Sequence, residues 1–358
     1  MIFKISHKAN KARIGYLKTK YSEIETPVFM PVGTLATVKG VTNKELKDFN
    51  FNIILANTYH LMLRPGTKII EKLGGLNQFM SWDKSILTDS GGFQVMSLGK
   101  SVKVDQDGVT FRSHIDGKLQ RLDAEKAVSI QDILGSTITM IFDECVPFPY
   151  SYDDTKESLH RSISWAKKSK TTYRKRDGYG IFGIVQGGMY KDLRELSIKE
   201  NIINNFDGYA IGGLAVGEEQ SLMLDITAHT TSLLPENKPR YLMGVGYPED
   251  ILEAVKRGVD MFDCVLPTRS GRTGLAFTSQ GNVKIRNSKY AEDSSPLDPN
   301  CLCDICKNYS KSYLHHLVKS SEILGSVFMT KHNLSFYSNL MKRIRIAIKE
   351  NNLNNLKV

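Results

Sequence analysis

The 358 residues suffice for two average domains or for one α/β barrel with insertions, and an apolar content of 41% allows a sizeable core. No apolar run approaches the ~18 residues of a membrane helix, and the charged start Met1–Tyr16 is unlike a secretory signal, so a cytoplasmic protein with no membrane partner is expected. The 48 Lys and Arg against 38 Asp and Glu, a formal net charge of +10, favour a polyanionic partner, nucleic acid foremost, because phosphate contacts release condensed counterions.

Along the chain, eight short apolar runs rich in β-branched and aromatic residues each give way to a more polar segment. They are Val28–Val32, Asn52–Ala56, Ser85–Asp89, Ile138–Asp143, Ile181–Gln186, Gly208–Gly213, Arg240–Val245 and Asp260–Val265. The segments between them include amphipathic stretches at Ala124–Leu134, Tyr190–Asn204 and Pro248–Arg257. Continuous apolar strands alternating with helices predict a parallel sheet covered on both faces, and eight units close a (β/α)8 barrel, an α/β fold spanning residues 1–358 as one catalytic domain. A doubly wound open sheet is the alternative, but no glycine-rich phosphate turn follows the first strand. Two interruptions are expected. Turn signals at Asp105–Gly108 and Asp116-Gly117 predict a β-hairpin excursion within 92–122, after the third strand. A cysteine-bearing subdomain over 281–334 then precedes the last barrel helix, Asn333–Leu353, where Leu340, Ile344 and Ile348 share a face. Between Lys307 and Val358, nine Lys and Arg stand against two Glu, so the positive field is concentrated there.

Three of the five cysteines form Cys301-x-Cys303-x2-Cys306. An odd number so clustered argues against secreted disulfides, whereas three thiolates on a tight turn can fill three corners of a tetrahedron that an imidazole closes. His315 and His316 lie near in sequence but two turns into a predicted helix; His332, expected at the start of the last helix, is the preferred fourth ligand. Four protein ligands leave no open position, so the ion expected is one structural Zn2+.

The run Ile86-Leu-Thr-Asp-Ser-Gly-Gly-Phe-Gln94 delivers Asp89 from an apolar strand into a glycine turn. The same construction recurs at Phe142-Asp-Glu-Cys145, Gly183-Ile-Val-Gln-Gly-Gly188 and Phe262-Asp-Cys-Val-Leu-Pro-Thr-Arg269. One acid at a strand end is an ordinary cap or loop bend. Acids from three barrel strands, gathered where barrels place their chemistry, must be paired or used, because desolvating them together costs several kcal/mol.

In this order and over nearly the whole chain, Thr88-Asp-Ser-Gly-Gly-Phe-Gln94, Phe142-Asp-Glu-Cys145, Val185-Gln-Gly187, Ile211-Gly-Gly-Leu-Ala-Val-Gly-Glu218, Tyr241-Leu-Met-Gly-Val-Gly246, Phe262–Arg269, Cys301–Cys306 and His332 resemble the bacterial-type tRNA-guanine transglycosylase family. The resemblance implies exchange of the wobble guanine of tRNAs with a GUN anticodon for 7-aminomethyl-7-deazaguanine, in queuosine biosynthesis, through a covalent tRNA-aspartyl intermediate. Asp263 matches the nucleophile and Asp89 the general acid/base, a scheme parallel to retaining glycosidases. Asp143, Gln186 and the backbone of Gly213 and Leu214 match groups that read the guanine edge. Phe93, where other members carry Tyr, and Met243 are expected to sandwich the base, while Cys145 and Val216 follow the bacterial pattern. The peptide joining Leu214 and Ala215 is expected to offer its carbonyl to an aminomethyl group or, flipped, its amide to guanine, with Glu218 steadying the flipped form. Arg269 and Arg272, on a polar loop, match contacts to the tRNA anticodon loop. Tyr309, Tyr313, His316 and Leu317 match a stripe that contributes to a homodimer, though such a stripe is as readily core. Lys311 stands where the family usually has Arg.

Two other readings compete. A glycoside hydrolase barrel also uses paired carboxylates, but the closed cysteine cluster, the basic tail and only two tryptophans count against it. A non-catalytic zinc-stapled RNA-binding subunit would be marked by loss of Asp89 or Asp263, and both are present.

Overall fold

A computed structural model describes residues 1–99 and 102–358. It opens with an antiparallel sheet of β1 (Ile2–Ala9), β2 (Ala12–Lys18) and β3 (Glu23–Thr26), which was not among the predicted elements. The signal was weak because β1 is exposed or half-buried throughout and its register slips between Ile5 and His7, which breaks the period of two. Arg13 of β2 makes a buried two-point pair with Asp260 (2.6 and 2.9 Å), whose carboxylate also accepts from the backbone N–H of Arg240 (2.7 Å). Asp260 precedes the last barrel strand, so this sheet packs at the barrel's N-terminal end, opposite the strand tips that carry the acids.

The barrel contains β4 (Val28–Gly33), β5 (Ile53–Ala56) and β6 (Ser85–Thr88). After the meander β7 (Lys103–Asp105), β8 (Gly108–Arg112) and β9 (Leu119–Asp123) come β10 (Ile138–Met140), β11 (Gly180–Val185), β12 (Gly208–Ile211), β13 (Arg240–Leu242) and β14 (Met261–Cys264). The eight barrel strands close in the order β10-β11-β12-β13-β14-β4-β5-β6, all parallel, each with ends within three residues of the range predicted for it. Their residues are buried on both faces, the physical reason that they read as continuous rather than alternating apolar runs. Helices Ala124–Leu134, Lys191–Ile203 and Pro248–Lys256 lie where amphipathic patterning predicts them. The first starts at Asp123, whose side chain accepts from the backbone N–H of Lys126, and stops at Gly135 with φ of 75°. No described helix is long and apolar enough to cross a membrane.

Two local expectations need correction. The interruption after β6 is a helix, Gly92–Met96, followed by a three-stranded meander rather than a hairpin, because β7, short and exposed, carries almost no apolar signal. Residues 100 and 101 of the expected insertion lie outside the described residues. The last helix runs Ile323–Lys349, ten residues earlier than predicted, and His332 lies well inside it rather than at its start. Its first turns bury Phe328 and Met329 against a second, smaller core of Ala276, Ile285, Leu297, Ile305 and Leu314, while later turns pack on the barrel. The buried face changes partner along the helix, so no single stripe marks its beginning.

Candidate active site and metal centre

Strand register dictates which side chains meet. Ala56 is paired with Thr88, Val185 with Ile211, Ile211 with Leu242, and Leu242 with Phe262. The next residues, Asn57, Asp89, Gln186, Gly212, Met243 and Asp263, therefore emerge at one rim, and the longer reach of Phe142-Asp143 past β10 adds the third acid. Gln131, fully buried on helix Ala124–Leu134, ties the two strands that bear Asp89 and Asp143. Its amide accepts from Thr88 Oγ1 and the Met140 N–H, both at 2.8 Å, and donates to the Met140 carbonyl at 2.9 Å.

The rim encloses a cavity of about 440 Å³ walled by Asp89, Phe93, Asp143, Cys145, Gln186, Gly213, Leu214, Val216, Met243, Asp263 and Arg269 among others. Eleven of the thirteen residues expected around base and RNA thus converge, while Glu218 and Arg272 stand outside the wall. Phe93 is 56% exposed at the mouth. Arg269 and Arg272 sit on a helix, Leu266–Thr273, not on a loop: Pro267 starts it and Gly274, φ 88°, ends it.

The three aspartates lack cationic partners among the described residues and are held by neutral donors. Asp89 accepts from Asn57 Nδ2, from the Thr58 N–H (2.9 Å) and from Gln94 Nε2 (2.9 Å). Asp143 accepts from Gln186 Nε2 (2.7 Å) and Ser90 Oγ (3.3 Å). Asp263 accepts on Oδ1 from Tyr241 Oη (2.6 Å) and the Gly244 N–H (2.9 Å). Burial pushes Asp89 and Asp143 up to about 6 and raises Asp263 as well, against the opposing effect of these hydrogen bonds. Glu144 shows the contrast: it turns from the cavity into a two-point pair with Arg161 at 2.6 and 3.1 Å. A structural reading accounts for Glu144 and leaves the three aspartates unexplained. Burial pushes the Cys145 thiol up to about 12, so it lines the cavity as a neutral group. Gln186 Oε1 is buried with no partner among the described residues, which leaves an acceptor free for a ligand.

Glu218 departs from expectation. Its carboxylate accepts from the backbone N–H of Ala215 (2.6 Å) and Val216 (2.9 Å). Within the trans Leu214–Ala215 peptide, the carbonyl must point the opposite way, so Glu218 steadies the form that presents the Leu214 carbonyl, not the flipped form that presents the amide. A carboxylate oxygen is an acceptor, hence it takes the N–H.

Asn57, Ser90, Gln94, Tyr241 and Arg194 were not singled out from sequence. Asn57 repeats the strand-tip construction after β5, and Gln94 and Tyr241 lie inside motifs already noted. Arg194 had one signal, a charge on the buried face of Lys191–Ile203 beside Leu193, Ser197 and Ile198.

Away from the barrel rim, the ligand atoms of Cys301, Cys303, Cys306 and His332 all lie within 4.8 Å of one another. His332 Nδ1 is 3.3 Å from Cys306 Sγ and 3.7 Å from Cys303 Sγ, close to the edge of a tetrahedron with metal–ligand bonds of about 2.0–2.3 Å. Its Nε2 lies 2.8 Å from the Phe277 carbonyl, which fixes the proton there and leaves Nδ1 as the ligand atom. Hydrogen bonds within the cluster lower the Cys303 thiol, the direction that yields a thiolate, and raise that of Cys306. The donor set fits a metal ion. His315 Nδ1 instead faces the Ile285 carbonyl at 2.7 Å.

Residues 8–358 match the family model described as queuine tRNA-ribosyltransferase. Relatives named queuine tRNA-ribosyltransferase include one from Rickettsia rickettsii (strain Sheila Smith), 56% identical over 347 residues, covering 97% of this chain and 96% of the relative. Another, from Rickettsia bellii (strain OSU 85-389), is 57% identical over 343 residues, covering 96% and 95%. A match of this extent and identity, on a barrel whose rim gathers the same motifs, shows that the chain belongs to the queuine tRNA-ribosyltransferase family, a family of pentosyltransferase enzymes.

Proposed function

We propose that this enzyme exchanges the wobble guanine of tRNAs with a GUN anticodon for 7-aminomethyl-7-deazaguanine, in queuosine synthesis. The observation that carries the reading is the set of three strand-tip aspartates that share one cavity, none ion-paired among the described residues and each held by neutral donors. Both hydrogen bonds to Asp263 fall on Oδ1, so Oδ2 attacks ribose C1′ of the tRNA while the C1′–N9 bond to guanine breaks. Asp89, whose carboxyl at about 6 retains a proton fraction near neutrality, gives that proton to the leaving base. It then takes the N9 proton of the incoming base as N9 attacks C1′ and the Asp263 ester leaves. Two displacements restore the sugar configuration, as in a retaining glycosidase.

Base selection falls to Asp143, Gln186 and the backbone of Gly213 and Leu214, with Phe93 and Met243 as the stacking faces. Cys145 and Val216 restrict the space beside the 7-substituent, and the Leu214 carbonyl held by Glu218 accepts from an aminomethyl ammonium. Arg269, at the cavity wall, and Arg272, one turn on, contact the anticodon loop. Zn2+ held by Cys301, Cys303, Cys306 and His332 ties the Cys301–Cys306 turn to the last helix; four protein ligands make it structural. Tyr309 and Tyr313 stack at 5.6 Å within the zinc segment, Tyr313 exposed, and support a homodimer surface there.

Asp263→Asn tests the chemistry. The variant should bind tRNA yet give neither base exchange nor a denaturation-resistant tRNA–protein adduct; an adduct trapped in that variant excludes Asp263 as the nucleophile.

A further inference from the structure

Behind the pocket lies a cation that forms no ion pair among the described residues, Glu218 reaching it only through its field. Arg194 is 0% exposed, and every hydrogen bond it makes goes to a backbone carbonyl. Nε donates to Gly188 (2.9 Å), Nη1 to Val185 (3.0 Å) and Gly212 (2.8 Å), and Nη2 to Gly213 (3.5 Å). Burial lowers its pKa to about 10, which still leaves it charged at neutral pH. An interior guanidinium is costly, and a Leu or Met would fill the same helix position with less desolvation. What the charge supplies is therefore found in what it holds. Its four carbonyls belong to the last residue of β11 and to the two turns that follow β11 and β12, and these turns contribute Gln186, Gly212 and Gly213 to the cavity wall.

One of these bonds has a chemical consequence. The Gly212 carbonyl and the Gly213 N–H belong to one trans peptide and point in opposite directions. With the carbonyl fixed on Arg194, the N–H is turned toward Cys145 sulfur, a weak acceptor on the cavity wall that a ligand oxygen outcompetes. A cation on the carbonyl also polarises the peptide and strengthens its N–H as a donor. The turn is built for glycine: Gly213 has φ of 65°, and a Cβ there would lie 2.5 Å from Gln186 Oε1.

We infer that Arg194 is a positioning residue for base selection, which holds and polarises the Gly212–Gly213 peptide so that its N–H recognises the ring carbonyl of an oxopurine. The inference rests on reading the cavity as a guanine-exchange site. It is tested by guanine exchange into tRNA, with 2-aminopurine as competitive inhibitor, since 2-aminopurine keeps the amino group and imidazole ring of guanine but lacks the carbonyl and the N1–H beside it, and the partner expected for N1–H, Asp143, is the same in every variant compared. Wild type should prefer guanine strongly. Arg194→Lys should raise KM for guanine about tenfold and Arg194→Met about a hundredfold, with smaller changes in kcat and less than about threefold in the 2-aminopurine Ki, because only the carbonyl loses its partner. A purely structural role would move both bases together. A folded Lys variant with unaltered guanine-to-2-aminopurine preference overturns the inference, whereas a wild type that exchanges no guanine overturns the reading of the cavity instead. If neither variant folds, amide hydrogen exchange in wild type decides: guanine must protect the Gly213 N–H and 2-aminopurine must not.

Discussion

Asp143 offers a perturbation whose sign separates function from stability. Burial holds its carboxyl at about 6 against an ordinary 3.8, so the folded protein keeps this proton to higher pH than the unfolded chain does. A group raised in this way contributes stability that is fully present below 3.8 and is lost as pH rises through about 6. Two pH units at 1.36 kcal/mol each make the loss about 3 kcal/mol, of which about half falls between pH 5 and pH 8. Asp143→Asn cannot ionise, so its stability relative to wild type should improve by about 1.5 kcal/mol between those two pH values. At roughly 2.1 cal/mol/K of unfolding entropy per residue, that is about 2 °C in the difference of midpoints. Thermal unfolding followed by circular dichroism at both pH values reads it, and comparing variant with wild type at each pH cancels any constant effect of the new amide. The same variant should exchange guanine poorly, having lost the carboxylate acceptor for the base edge. A midpoint difference that is identical at pH 5 and pH 8 would refute the claim that desolvation strains this carboxylate.

Two further outcomes follow from the metal centre and from the pocket. Metal analysis should give about one zinc per chain; Cys303→Ser or a strong chelator should unfold the 281–334 segment and weaken tRNA binding together, because metal-binding energy is folding energy in such sites, and full zinc retention by His332→Ala would remove His332 from the ligand set. In competition on one tRNA whose anticodon loop carries uracil-guanine-uracil, 7-aminomethyl-7-deazaguanine should be used in preference to queuine by about ten- to a hundredfold, since Cys145 and Val216 crowd a bulky 7-substituent at a cost of ~1–3 kcal/mol; equal use of queuine would contradict that assignment.

The barrel was legible because each of its strands is buried on both faces and so writes itself as an unbroken apolar run, which no solvent-facing strand can do. The elements that escaped notice lack that property. β1 and β7 are half or fully exposed, so their identity depends on pairing with β2 and β8 rather than on their own composition. Ile323–Lys349 was found in part because a helix that changes packing partner along its length does not keep one apolar stripe.

The candidate site divides along a different line. Residues that emerge directly from a strand tip, such as Asp89 and Asp263, could be placed from sequence because their position relative to a recognisable strand fixes which rim they face. Residues that orient those groups from a neighbouring element gave little local sign of it. Gln131 reads as an ordinary helix residue, yet it joins the strands of Asp89 and Asp143. Arg194 reads as one more base in a basic chain, yet it is enclosed by backbone carbonyls. In both cases the informative fact is a polar group at a position whose helical neighbours are core, and its cost in desolvation is the reason to look for what it holds. Applied along helix Lys191–Ile203, that criterion also selects Ser197 and Asn201. Ser197 Oγ accepts from the Gln186 N–H at 3.0 Å, and Asn201 Nδ2 lies 3.2 Å from the Ile184 carbonyl. One face of this helix thus follows β11 and the turn beyond it with side-chain hydrogen bonds, so Gln186 is set in place by the helix behind it as much as by the strand that carries it.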